Sequence, residues 1–325
     1  MAQRSRRLFS LVAIAAALAL GLSACGGGNI KKTTSAGGKT CGDFKIAINA
    51  WTGYYADAWV VGELAAKKLG CNVSYVKLAE EPSWNAMANG TVDTILENWG
   101  HDDLVKKYIT EQHVVQDAGQ TGNKGIIGWY VPPWMAQKYP DITNWKNLNK
   151  YASMFKTSES GGQGQLLDGD PSYVTNDQAL VKNLKLNYKV VVGGSEAALI
   201  QSFRKAEKNK TPLLAYFYEP QWFFSEMKLA HVNLPAYSSD PKVCPTAPSQ
   251  IRCDYPPYNL NKLVSTKFAK SGSPAYTLVK NFHWTNADQN LVATYIAKDG
   301  MSNAAAADKW IAANPDKVNA WLSGT

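Results

Sequence analysis

The stretch DFKIAINAWTGYYADAWVVGELAAKKLGCNVSYV, residues 43–76, decides the fold. Residues 43–49 form a short apolar run of strand character. Tyr55, Trp59, Val60, Leu64, Ala65 and Leu69 then recur at helical spacing, and Gly70 supplies a stop. Residues 72–76 read as a second strand, so the whole stretch is a βαβ unit whose two strands run parallel.

Outward from this unit the alternation continues. A short helix, 83–89, follows Pro82 and ends at Gly90, and a strand, 91–97, runs into Asn98-Trp99-Gly100-His101. A strand at 126–131 is stopped by Pro132-Pro133. Thr175 or Asn176 caps a helix through Leu186, residues 188–192 form a strand, Ser195 caps a helix through Lys208, and 211–218 form a strand. From Asn259 onward one short strand precedes helices, including 287–298 and 303–313. This pattern predicts an α/β fold of mostly parallel sheets covered by helices on both faces. Two βαβ sets, before about residue 125 and between about 131 and 235, point to two sheets, with one continuous sheet as the alternative. Parallel sheets present ligands beyond the carboxyl ends of their strands, so 51–55, 99–102 and 218–222 carry the most weight.

The first 25 residues bear on location. Arg4, Arg6 and Arg7 precede an apolar run, 8–20, that is too short to span a bilayer, which is the pattern of an export signal. The run ends in Leu22-Ser23-Ala24-Cys25, which resembles the lipobox of bacterial lipoproteins, where cleavage leaves an acylated Cys25. Acyl chains on that residue would hold the chain at the outer face of the cell membrane. Residues 1–24 are then a leader, and 25–40, rich in Gly, Lys, Thr and Ser, form a flexible tether. Loss of the three arginines lowers the formal charge from +8 to +5, too mild over 325 residues to indicate nucleic-acid binding.

Four further cysteines remain, an even number in an exported chain. Cys41 and Cys71 stand at the starts of two neighbouring parallel strands and are expected to pair. Cys244 and Cys253 flank the loop Pro245-Thr246-Ala247-Pro248 and are expected to close it. No C-x-x-C occurs, which weighs against a metal site.

Enzyme signatures are missing: the sequence holds no H-E-x-x-H, no G-x-S-x-G and no P-loop, and its four histidines are scattered. Gly161-Gly162-Gln163-Gly164 lacks the Lys that a phosphate loop needs, and Asp168-Gly169-Asp170 is not followed by the Gly and Glu of a calcium loop. No catalytic residue, metal or cofactor is expected. What stands out is 11 Trp and 16 Tyr against 9 Phe. Trp99, Tyr173 and Tyr218 lie at strand ends or in loops, where ring faces attract a quaternary ammonium group that cannot donate hydrogen bonds. Three rings at roughly 1 to 2 kcal/mol each supply about 3 to 6 kcal/mol, and micromolar affinity needs about 8. A further anchor is needed, such as His101 and the backbone amides of 172–175.

Residues 53–101, with Gly90-Thr91-Val92-Asp93 leading to Glu97-Asn98-Trp99, resemble the substrate-binding proteins of glycine betaine, choline and proline betaine ABC transporters. So does 212–222, with its Tyr-x-Tyr-x-Pro-x-Trp pattern. The resemblance implies a two-lobed fold of the type II periplasmic-binding-protein kind, its lobes (41–130 with 236–325, and 131–235) joined by two crossovers and closing on the ligand. It implies a box of Trp99, Tyr173 and Tyr218, a small quaternary ammonium ligand, delivery to a membrane permease, and a monomer that is no enzyme. Members often carry Trp where this chain has Tyr173 and Tyr218. Trp51 and Tyr54 either complete the box or line the hinge. Glu219 beside the cage would favour choline over a zwitterion, and its other reading is an acid at a helix start; the mild positive charge favours betaines. Two other readings stay open: an amino-acid, sugar or sulfonate receptor on the same fold, and an exported hydrolase using Ser195 or a His101-Asp102 site.

Overall fold

The computed structural model describes residues 41–325; the leader, Cys25 and the tether lie outside them. The opening βαβ unit is present, with β1 at Asp43–Ile48, α1 at Thr52–Leu69 and β2 at Asn72–Lys77. β1 and β2 pair in parallel, and α1 ends where Gly70 takes a left-handed φ of 68° and donates its N–H back to Ala65. Next come α2 at Glu80–Ala88, β3 at Thr94–Asn98 and the long β4 at Val115–Val131. The strands β5 (Gly164–Asp168), β6 (Tyr188–Val192), β7 (Ala215–Glu219), β8 (Ala230–Val232) and β9 (Tyr258–Ser265) complete the set.

Two parallel trios, β2-β1-β3 and β6-β5-β7, form the two halves. The two expected sheets are present and share one strand: antiparallel β9 and β4 join the trios into one path, β2-β1-β3-β9-β4-β7-β5-β6, with β8 beside β4. β4 spans both halves: Val115 to Gly125 pair with β9, and Ile126 to Tyr130 pair with β7. The sequence pattern marks only the last third of β4 as strand. Its first part, VQDAGQTGNKG, is polar and glycine-rich, with Gly119 and Gly122 at φ 95°, and the register against β9 shifts there twice. Such a segment shows no apolar alternation for a sequence reading to find. The short β5 was missed for a related reason, since five residues next to a glycine cluster look like a turn.

Both expected disulfides are present, Cys41–Cys71 and Cys244–Cys253. The first ties the starts of β1 and β2, and the second closes a loop with a sequence separation of 9. Replacing Cys244 and Cys253 together by alanine is expected to lower unfolding free energy by roughly 2.5 kcal/mol from the loop-closure entropy restored to the unfolded chain. Urea denaturation of the variant and parent checks this.

Most of the tryptophan surplus is packing. Trp84, Trp129, Trp284 and Trp310 are fully buried, and Trp310 stacks on Trp321 with centroids 5.4 Å apart. Among the described residues no helix is long and apolar enough to cross a membrane.

Candidate ligand-binding site

At the junction of the two halves the carboxyl ends of both parallel trios face a small cavity. It is lined by Trp51, Trp99, Tyr173, Tyr216 and Tyr218, with Glu80, Ile127 and Val174. Each ring is placed by its element. Trp51 follows β1 and occupies the N-cap position of α1, and Trp99 follows β3. Tyr173 sits in the turn after β5, where its N–H donates to the Asp170 carbonyl while the Asp170 side chain accepts from Ser172. Tyr216 and Tyr218 are two residues apart on β7 and so share a face.

The rings meet nearly at right angles, like adjoining walls. Trp51 and Tyr173 have centroids 5.7 Å apart at 89°, Tyr173 and Tyr218 6.1 Å apart at 81°, and Trp99 and Tyr218 5.7 Å apart at 78°. Tyr258, the first residue of β9, backs Trp99 at 5.9 Å. Gly125 on β4 makes room for this, since a Cβ there would stand 2.7 Å from the Trp99 ring.

One buried carboxylate orients two of these walls. The indole N–H groups of Trp51 and Trp99 both donate to Glu97 Oε1, at 3.1 and 2.8 Å, and Gln289 Nε2 donates to Oε2 at 2.9 Å. With their edges held there, both indoles turn their faces away from the carboxylate. Burial raises the pKa of Glu97 and pushes that of neighbouring Asp57 well above the usual carboxylate range, with the Glu97 charge adding to the effect on Asp57. Burial and the neighbouring Glu97 both favour the neutral form of Asp57.

The expected site residues fall into three groups. Trp99, Tyr173, Tyr218 and Trp51 come together as walls of the cavity. Tyr54 stands behind Trp51, edge-on at 5.4 Å, with its oxygen accepting from the Leu96 N–H. His101 is not itself in the lining but stands behind Glu80, its Nε2 3.1 Å from Glu80 Oε1. Burial alone would lower the His101 pKa, and the Glu80 carboxylate outweighs it and raises it. Glu219 points elsewhere: it lines a separate groove with Ile126, Tyr130, Phe224 and His231. Ser195 is a helix cap, its Oγ accepting from the Ala198 N–H. Among the described residues no group of three or more His, Cys, Asp or Glu is placed to hold a metal.

Sequence reasoning missed Tyr216, Glu80, Glu97 and Glu196. Tyr216 was within reach, because a residue two before Tyr218 on a strand must share its face. Glu97, two before Trp99, was within reach in the same way, whereas Glu80 and Glu196 carried no such signal, because a lone Glu in a helix reads as surface.

A family model described as the substrate binding domain of ABC-type glycine betaine transport system matches residues 42–313. The trimethylamine N-oxide-binding protein of Pelagibacter ubique (strain HTCC1062) is 24% identical over 278 residues, which cover 83% of this chain and 87% of that protein. Among solved structures, an ABC-transporter choline-binding protein in complex with choline superposes with a TM-score of 0.71 at 18% identity, covering 88% of this chain and 93% of the other. A lactococcal protein in its closed-liganded conformation with glycine betaine gives 0.66 at 22% identity, over 86% and 99%. The fold shared with these structures is the two-lobed type II arrangement.

Proposed function

Because the chain belongs to the family of substrate-binding domains of ABC-type glycine betaine transport systems, we propose that its aromatic box captures a quaternary ammonium solute of the glycine betaine and choline class and delivers it to a membrane permease. The protein is a substrate-binding protein and not an enzyme, which removes the hydrolase reading. The observation that carries the ligand class is the set of walls, Trp51, Trp99, Tyr173 and Tyr218, with both indoles locked by Glu97. Four desolvated rings supply about 4 to 8 kcal/mol toward a cation, against about 8 for micromolar affinity.

In this reading residues 41–130 with 236–325 form one lobe and 131–235 the other, and the ligand favours closure through the contacts it makes only in the closed state. The monomer works at the outer face of the membrane, held through an acylated Cys25. The names and ligands of the Pelagibacter, choline and glycine betaine proteins support this class.

Isothermal titration of residues 41–325 with glycine betaine, choline, proline betaine, carnitine and trimethylamine N-oxide tests the proposal. Micromolar binding of at least one is expected. Absence of heat and of any melting shift with all five at millimolar concentration overturns it.

A further inference from the structure

The N-terminus of α1 adjoins the box at Trp51, and it is already filled. α1 has 18 residues, no acidic residue in its first turn and no side-chain cap from its own N-cap residue. A helix start of this kind is a natural seat for a ligand carboxylate, because free amide N–H groups and the helix dipole converge there. Here the seat belongs to Glu196, from the other half of the molecule. The Thr52 backbone N–H faces both Glu196 oxygens at 3.3 and 3.2 Å, and Thr52 Oγ1 donates to Oε1 at 2.7 Å. The hydroxyl of Tyr218, a wall of the box, donates to Oε2 at 2.6 Å. Glu196 is itself the first residue of the helix Glu196–Asn209, so two helix starts share its one charge. The residue is 5% exposed, so little water competes for these bonds.

The rest of the lining offers an anion the hydroxyl of Tyr173, which has no partner, and no cationic side chain. Glu80, 3% exposed, is the one acidic side chain in the wall, and His101 Nε2 lies 3.1 Å from its Oε1. A ligand carboxylate would enter between Glu80 and Glu196 with no positive partner, and like charges desolvated together repel strongly. A cation meets ring faces on several sides and carboxylates behind them.

We propose that Glu196 is a specificity-determining residue which, by occupying the start of α1, makes the box select quaternary ammonium cations without a carboxylate over betaine zwitterions. The proposal rests on the quaternary ammonium reading above and narrows it to choline-like ligands.

Titrating the parent protein, Glu196→Gln and Glu196→Ala with tetramethylammonium, choline and glycine betaine tests this. The parent is expected to bind choline at least about tenfold tighter than glycine betaine. In Glu196→Ala that ratio is expected to fall about tenfold or to reverse, because the charge is lost and the Thr52 amide is freed. Glu196→Gln keeps acceptors for Thr52 and Tyr218, guards against misfolding, and is expected to lower the ratio by a smaller factor. A parent that prefers glycine betaine overturns the proposal. So does an equal loss for choline and betaine in both variants, which marks a purely structural clasp. A parent that binds none of the three ligands overturns instead the reading on which the proposal rests.

Discussion

Replacing Trp99 with alanine is expected to weaken ligand binding about 30- to 1,000-fold, or roughly 2 to 4 kcal/mol. Trp99 is a wall of the cavity, meets Tyr218 at 78° and rests against Tyr258, so its loss removes one cation-binding face and loosens two neighbouring rings. The cation–π share is roughly 2 kcal/mol for a desolvated ring, and the remainder comes from water entering the space left behind. Trp99→Phe keeps a ring but gives up the bond to Glu97, and is expected to lose about tenfold. Calorimetric titration of both variants, with thermal melts on the same samples to confirm folding, reads the effect. A Trp99→Ala protein that binds within threefold of the parent would place the ligand elsewhere.

Glu97→Ala is expected to damage stability and binding together. Glu97 is 1% exposed, and removing it leaves the indole N–H groups of Trp51 and Trp99 without their acceptor. Each buried orphan costs about 1 to 3 kcal/mol, so the pair costs roughly 2 to 6 kcal/mol of folding free energy. With both indoles free to turn, affinity is expected to fall about 10- to 100-fold. Glu97→Gln is the informative contrast. Both indoles converge on Oε1, which a Gln carbonyl can replace, while the amide nitrogen would meet the Gln289 Nε2 donor. Glu97→Gln should therefore hold more affinity than Glu97→Ala. Equal affinity losses in the two variants would remove Glu97 from its role in orienting the box.

The βαβ unit at residues 43–76 was legible because three periodicities agree in it: an apolar run, a helical stripe and a second run, punctuated by Gly70. The disulfide Cys41–Cys71 followed from the same reading, since parallel neighbours bring their starts together. The junction between the halves was not legible. In β4 the glycines and polar residues that let one strand cross from one trio to the other erase the alternation that marks a strand.

The box divides along similar lines. Trp99 and Tyr173 follow strands and Tyr218 lies near the end of one, positions where the sequence already directs attention to aromatic rings, while Trp51 could be read as box or hinge. Glu219 misled because sequence proximity to Tyr218 is not spatial proximity on a strand, where the next residue turns to the opposite face. Its pairing with Ile126 and its place in the groove beside His231 follow from that alternation. Glu97 holds Trp99 two residues on, but it reaches Trp51 46 positions away and Glu196 reaches Thr52 144 positions away, and no local pattern encodes these distant pairings.

A crystal structure of the protein with choline is the decisive measurement. The quaternary nitrogen is expected within about 6 Å of the ring centroids of Trp51, Trp99, Tyr173 and Tyr218, with Glu196 still bonded to Thr52 and Tyr218. Choline seated outside this box, for instance in the groove between Ile126 and Glu219, would contradict it.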